Sequence, residues 1–470
     1  MCGIVGIVDT GGVSFPLYYA LYALQHRGQE SAGISTFDAG TLFKHKSQGL
    51  LSEVFNRDIL EGLPGSVGIG HVRYPTTGEN RPENTQPLNF SLKGHHFSIV
   101  HNGNLVNNNE LVSEYEEHGH IFATTTDSEV IAAVIARELT LSGSIEDAIV
   151  LCMRKLEGSY SVITLLDDTL FAFRDPLGIK PLCIGKTDNG YMVASESVAL
   201  DALGAIFIRD LRPGELIKID KGGISCRQIT KTNHTAFCLF EYIYFARSDS
   251  VIDGVLVYDV RRKIGEMLHK EAPVEADIIS PVPDSGTSLA VGYSEASGIP
   301  FKEGLIKNRY IGRTFIMPTQ KLRENAVRMK LNPVRGHIKG KSVVLVDDSI
   351  VRGTTSRRII ELVREFGARE VHFRVGSPPV AAPCYLGVDL PTRKELIAHN
   401  RETDEVCSCI SADSLHHISL EALIAATEID LSDFCTGCLT GCYPVAIPHE
   451  KSECRHVDFI HGSYQTRLDF

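Results

Sequence analysis

The sequence lacks most features that would carry a protein out of the cell or onto nucleic acid. No apolar run approaches the length of a membrane span. The opening residues, MCGIVGIVDTGG, have no basic start followed by an apolar stretch and a cleavage site, so no secretion signal is expected. Positive charge is in deficit. Lys and Arg number 47 against 58 Asp and Glu, a net charge of −11, which argues against nucleic acid or an acidic membrane as the main partner. Short-period repeats, low-complexity tracts and long charge runs are also missing, which argues against a solenoid or a charged tail. What remains is a chain of 470 residues, long enough for two or three globular domains and expected in the cytoplasm. In that reducing compartment its twelve cysteines are not expected to form a disulfide framework, which leaves thiols for metal or chemistry.

The first half reads as short strands, GIVGIV, GSVGIGHVRY, HHFSIVHNGN, GSYSVITLLDDTLFAFRD and NGYMVASES, broken by Gly and Asn. Among them SEVIAAVIAREL has helical periodicity, with Asp127 or Ser128 as its expected cap. Strands in runs with a few helices predict a layered α+β domain. Near residue 230 the pattern changes. After LRPGELIKIDKGG, read as a closing hairpin, and the polar linker TKTNHTAF, apolar strands alternate with loops and helices, as in a parallel, doubly wound sheet. The boundary is placed within 230–240, giving domains of residues 2–235 and 236–470.

VVLVDDSIVRGTTS is the most specific local string. An apolar strand ends at Asp347 and Asp348, and a loop with Gly353, Thr354 and Thr355 leads into a helix. At the carboxyl end of a parallel strand, loop N–H groups and the helix N-terminus form an anion cradle. The two acids can accept hydrogen bonds from a diol and hold Mg²⁺ directly or through water. A bare acid pair would be an ordinary helix cap. The whole string, however, resembles the phosphoribosyl pyrophosphate (PRPP) motif of type I phosphoribosyltransferases. That resemblance implies that Asp347 and Asp348 bind the ribose hydroxyls and metal. It also implies that Val351, Arg352, Gly353, Thr354 and Thr355 bind the 5′-phosphate, and that Ser285, in PVPDSGTS, faces the pyrophosphate and metal. The cationic segment 307–335 is either a solvated surface loop or a basic lid over a polyphosphate.

Cys2 lies directly behind the initiator methionine. If Met1 is removed, Cys2 carries both a thiol and an α-amine, whose pKa of about 8 leaves it partly neutral near pH 7. Arg73 in HVRYPTTG could grip a carboxylate and Asp127 in TTTDSE an ammonium, while Asn102 and Gly103 in HNGNL could point N–H donors at an oxyanion. Singly, these are a surface Arg, a helix cap and a hairpin turn. The ordered set, with LQHRGQESAGI, resembles the glutaminase domain of class II amidotransferases, an α+β N-terminal nucleophile (Ntn) hydrolase fold of four αββα layers. In that family Cys2 is the nucleophile.

Joined to a phosphoribosyltransferase half, and with FEYIYFARSDS, KNRYIGRTFI and PTRKELIA, the chain resembles the glutamine PRPP amidotransferase family over nearly its whole length. The resemblance implies that glutamine, PRPP and water give 5-phosphoribosylamine, glutamate and pyrophosphate, opening purine synthesis, with ammonia passing internally from Cys2 to the anomeric carbon. It further implies Mg²⁺, homo-oligomers and feedback inhibition by purine nucleotides. A competing reading is a regulator that keeps only the phosphate cradle; such a protein has no need of Cys2, Arg73, Asn102 and Asp127 together.

DFCTGCLTGCYP has thiolate-ligand spacing, suited to iron–sulfur or zinc. Some members of the family carry a 4Fe–4S cluster, and the resemblance assigns its ligands to Cys238, Cys384, Cys435 and Cys438, with Cys442 a possible substitute where a basic residue is expected. Cluster-bearing relatives often begin with a propeptide; here only methionine removal is expected. Cys152, Cys183 and Cys226 are read as small apolar residues of the first domain. Cys407, Cys409 and Cys454 have no family counterpart, and His101 is read as a local packing or hydrogen-bonding residue.

Overall fold

The computed structural model describes residues 1–74, 80–232, 234–308, 330–390 and 392–448. Among these, the first half holds two stacked antiparallel sheets. One runs in the order Ile206–Asp210, Cys183–Lys186, Gly190–Ala194, Gly3–Asp9, Val67–Arg73, Ser31–Asp38, Thr41–Gln48. The other runs Gly223–Gln228, Glu215–Asp220, Thr169–Arg174, Gly158–Leu166, His95–Leu105, Leu88–Leu92.

The period-two alternation of these strands explains the layering. In Gly3–Asp9, Ile4 and Val8 point between the sheets, where they meet Ile163, Leu165 and Ala172. Val5 and Ile7 point the other way, onto Leu17, Ala20 and Leu21 of the helix Ser14–Ala23. On the far side, Tyr160, Val162 and Phe173 pack under the helices Asp127–Ser142 and Ile145–Lys155. The result is four layers, helix–sheet–sheet–helix, the Ntn-type arrangement.

In the second half the strands Ile278–Pro281, Ser342–Asp347, Glu370–Val375 and Ser414–His417 are parallel and adjacent in that order. Both faces are covered, which is why SVVLVD reads as an unbroken apolar run. Val344 and Val346 meet Ile264, Leu268 and Leu289 of the helices Val257–Glu271 and Thr287–Ser297. Val343 and Leu345 meet Ile359, Ile360 and Val363 of Thr354–Glu365, with Val406 of Thr403–Ile410. The basic segment begins and ends in a two-stranded ribbon, Leu305–Lys307 against Leu331–Pro333. Its residues 309–329 lie outside the described residues, and the lid with them, as does Cys454. Among the described residues no helix is long and apolar enough to cross a membrane.

Two expectations are corrected. Thr126, not Asp127 or Ser128, is the N-cap residue of Asp127–Ser142, because the backbone is still extended at Thr126 (φ −98°, ψ 143°) and Asp127 is already helical, its carboxylate accepting from the Leu105 N–H. Cys152 and Cys183 are buried, but Cys226 is exposed on the terminal strand Gly223–Gln228, where Arg209 donates to its sulfur at 3.4 Å.

The halves are tied together by buried polar contacts. Arg174 pairs with both carboxylate oxygens of Asp253 at 2.8 and 3.0 Å. The Asn104 amide donates to the Tyr385 carbonyl at 2.7 Å, and the Ser159 hydroxyl to the Leu386 carbonyl at 2.8 Å. Within the second half, Phe237–Cys238 pairs in parallel with Phe434–Cys435.

Candidate active sites

Cys2 stands at the head of Gly3–Asp9, a central strand of its sheet, and is 6 % exposed. Its backbone N–H donates to Asn102 Oδ1 at 2.9 Å, its thiol to the Tyr74 carbonyl at 3.5 Å, and its own carbonyl accepts from Arg27 Nε at 3.0 Å. Asn102 comes from His95–Leu105 in the other sheet, so the stacked sheets bring nucleophile and amide together. Because Oδ1 faces Cys2, Asn102 Nδ2 is turned away, and it is buried without a partner among the described residues. An orphaned buried donor costs stability and is explained where a ligand oxygen meets it. Gly103 follows, with φ of 158°; a Cβ there would lie 2.0 Å from the Ser159 carbonyl oxygen. No side chain fits.

Arg73 ends the strand Val67–Arg73 and is buried. Asp127, also buried, spends Oδ2 on the Leu105 N–H at 3.0 Å and holds Oδ1 3.3 Å from His101 Nδ1. Burial alone would lower the His101 imidazole; Asp127 outweighs it and lifts it above its ordinary range. His101 is therefore a hydrogen-bonding residue, bridging Asp127 and Ser128. His71, not singled out by its sequence, is held well below the ordinary range by burial and then by Arg73. It stays neutral beside that cation.

The second site is a cavity of about 370 Å³ at the carboxyl ends of the parallel strands. Ser285, Asp347, Asp348, Val351, Arg352, Gly353, Thr354 and Thr355 all line it. The first turn of Thr354–Glu365 opens onto it, and the helix is entered through Gly353 at φ 74°. A Cβ on Gly353 would stand 2.2 Å from Ile397 Cδ1. Asp347 and Asp348 are buried side by side, and burial raises both carboxyl pKa values. Asp348 raises Asp347 further, whereas Ser285, Ser349 and Arg261 oppose the shift at Asp348. Two adjacent buried acids are a donor set suited to a cation.

The wall residues not read from the sequence as site residues include four aromatics, Tyr74, Phe240, Tyr244 and Phe245. The last three sit inside FEYIYFARSDS, and an aromatic-rich string at the start of a domain was the available signal. Tyr74 matters most, because it belongs to both sites: its carbonyl receives the Cys2 thiol and it lines the cavity. Arg27 was missed as well. It donates to Glu196 and, at 2.6 and 3.1 Å, to both oxygens of Glu241, whose segment Glu241–Phe245 carries Tyr244 and Phe245 to the cavity.

Cys238, Cys384, Cys435 and Cys438 share one core. Cys238 lies opposite Cys435 in the short parallel pairing, and Cys384 and Cys438 pack against the same cluster. Burial pushes the thiols of Cys238, Cys435 and Cys438 up. Among the described residues no three His, Cys, Asp or Glu side chains form a group that could hold a single metal ion. A cubane does not ask for such convergence, since each thiolate meets a different iron.

The layered first half with its terminal cysteine, and the strand-end phosphate cradle of the second, define a class II glutamine amidotransferase joined to a type I phosphoribosyltransferase. The family described as glutamine amidotransferase domain matches residues 71–202, and that described as phosphoribosyl transferase domain matches residues 253–376. The amidophosphoribosyltransferase of Methanothermobacter thermautotrophicus is 51 % identical over 455 residues, covering 96 % of each chain; that of Bacillus subtilis is 45 % identical over 463 residues, also covering 96 % of each. The structure of the B. subtilis glutamine PRPP amidotransferase complexed with ADP and GMP superposes with a TM-score of 0.89 at 44 % identity, covering 96 % of this chain and 98 % of that one. The chain belongs to the amidophosphoribosyltransferase family. It is an enzyme of glutamine-dependent amidotransfer to PRPP, the opening step of purine synthesis.

Proposed function

We propose that this chain performs the reaction with Cys2 as nucleophile and passes ammonia across the wall its two sites share. Tyr74, in contact with the Cys2 thiol and facing Asp347 and Asp348, carries this reading. With Met1 removed, the Cys2 amine takes the proton of its own thiol, and the sulfur attacks the glutamine amide carbon. Burial pushes the amine of Met1, the terminus before that residue is removed, down to about 6. Asn102 Nδ2 and the Gly103 N–H receive the oxyanion. Arg73 holds the α-carboxylate and Asp127 the α-ammonium.

In the cavity, Asp347 and Asp348 hold the ribose hydroxyls, and the loop from Val351 to Thr355 holds the 5′-phosphate through backbone N–H groups and hydroxyls. Asp347, Asp348 and Ser285 would hold Mg²⁺, which when bound neutralises the departing pyrophosphate. Cys238, Cys384, Cys435 and Cys438 would hold a 4Fe–4S cluster, whose role is structural or oxygen-sensing because the reaction transfers no electrons. The domains are residues 2–235 and 236–470, the second ending in the cysteine-rich segment. Purine nucleotides act as feedback inhibitors, a reading supported by the ADP and GMP in the B. subtilis structure. The enzyme works as a cytoplasmic homo-oligomer.

The test is to mix anaerobically purified protein with glutamine and Mg²⁺, with and without PRPP, and quantify glutamate and pyrophosphate together. Matched, PRPP-dependent release is expected. Cys2→Ala should abolish glutamine-dependent turnover and retain the ammonia-dependent reaction; equal loss of both would overturn the division of labour.

A further inference from the structure

With Met1 in place Lys180 is fully buried, and its ammonium has a single described partner, the Met1 sulfur at 3.0 Å, which the chain loses when Met1 is removed. A thioether carries no charge. Among the described residues no carboxylate lies within ion-pair distance of Lys180. A buried ammonium left in that state is strongly unfavourable, so such a group is expected to face an anion. The carboxylate that acts on it from further off is Glu241, and both Glu241 oxygens are taken by Arg27.

The other groups that act on it include three of the four cysteines, Cys238, Cys384 and Cys435. The Cys238 N–H donates to the carbonyl of Ile179, next in the chain to Lys180, at 3.1 Å. Met1, Ile179 and Cys238 belong to one buried cluster against which Cys384, Cys435 and Cys438 pack. Burial acts to lower the Lys180 pKa, but Cys238 and Cys384, then Glu241 and Cys435, hold it raised. As neutral thiols these cysteines give the ammonium nothing to answer. As thiolates around an iron–sulfur core they would form a compact anion beside it.

We propose that Lys180 is the buried counter-cation of the four-cysteine site, balancing the negative charge of the cluster and setting its reduction potential. The inference rests on the cluster reading above and adds a positioning residue that the cysteine spacing does not reveal. Reduction adds one more negative charge to the cluster, so a fixed cation beside it favours the reduced form.

The experiment uses the full chain, purified anaerobically, with iron and sulfide analysis and a redox titration followed by electron paramagnetic resonance of the reduced cluster. Lys180→Met is expected to shift the midpoint to more negative potential, and Lys180→Arg to restore it. An unchanged midpoint in cluster-loaded Lys180→Met would overturn the proposal and leave Lys180 answering Glu241 alone. If Lys180→Met yields no loaded protein, Lys180→Gln is read in the same way. Loss of the cluster from both neutral variants with retention in Lys180→Arg upholds the need for charge; loss from all three counts against it. Wild-type protein without iron would instead remove the cluster reading, and this inference with it.

Discussion

Asn102 uses the two ends of one amide for different tasks. Its oxygen fixes the backbone of Cys2 at 2.9 Å, and that bond decides which way its nitrogen points. Removing a single oxyanion donor typically costs about 10²–10³ in kcat. Asn102→Ala should therefore lower glutamine-dependent kcat by about that factor, with ammonia-dependent synthesis retained; paired steady-state assays check it. A second residue-scale prediction concerns His417, buried with Nδ1 3.0 Å from the Ser377 carbonyl. Burial lowers its pKa to about 4, so between pH 6.5 and 4 the unfolded chain takes up a proton that the folded chain refuses. Its contribution to stability is complete above pH 6.5 and is lost as the pH falls towards 4, by roughly 3 kcal/mol at most. His417→Gln should flatten that part of a urea-midpoint-versus-pH curve. At this scale the meeting of Cys2 with Asn102 was legible because the proposed chemistry needs those residue types in a fixed order. Arg27 and Lys180 were not, since an isolated basic residue in a sequence gives no sign that it will be buried or what it will face.

Elements were legible where the pattern is strong. VVLVDD announces a strand buried on both faces, and the loop after it lines the cavity as the motif implies. The last parallel strand, Ser414–His417, was missed because SLHH is four residues long and three of them are polar; it exists by pairing with Glu370–Val375, not by propensity. Gly353 shows how tightly the cradle is built. An alanine there must adopt φ near 74°, at about 1–2 kcal/mol, and place its Cβ 2.2 Å from Ile397 Cδ1. The helix start would have to shift, and with it the N–H groups proposed to hold the 5′-phosphate. Gly353→Ala should raise the KM for PRPP by about tenfold or more. Labelling of Cys2 by a glutamine-like alkylating agent, without PRPP, should be unchanged, which separates a local effect from misfolding.

At the scale of the whole molecule, the two halves are joined by a buried charge network that neither contains alone. Arg27 joins the Cys2 carbonyl and Glu196 of the first half to Glu241 of the second, and its guanidinium and both carboxylates are buried. Burial would raise the Glu196 carboxyl, but His26 and Arg27 hold it far below the usual carboxylate range. Breaking one partner of such a network leaves charges uncompensated in the interior, typically at about 3–5 kcal/mol. Arg27→Met keeps volume but takes the guanidinium from Glu241 and from Glu196, which keeps His26 at 2.7 Å. It should lower the urea midpoint accordingly and depress glutamine-dependent more than ammonia-dependent turnover, because Cys2 loses its carbonyl anchor. Glu241→Gln keeps an oxygen for Arg27 and leaves Glu196 as its counter-ion, so a smaller loss of stability is expected. The two substitutions together distinguish a device for charge from one for shape. If Arg27→Met and Glu241→Gln destabilise equally, neutralising Glu241 alone is as damaging as removing the cation; if only the first does, the guanidinium holds Cys2 through Glu196 and the contact across the domain boundary is secondary.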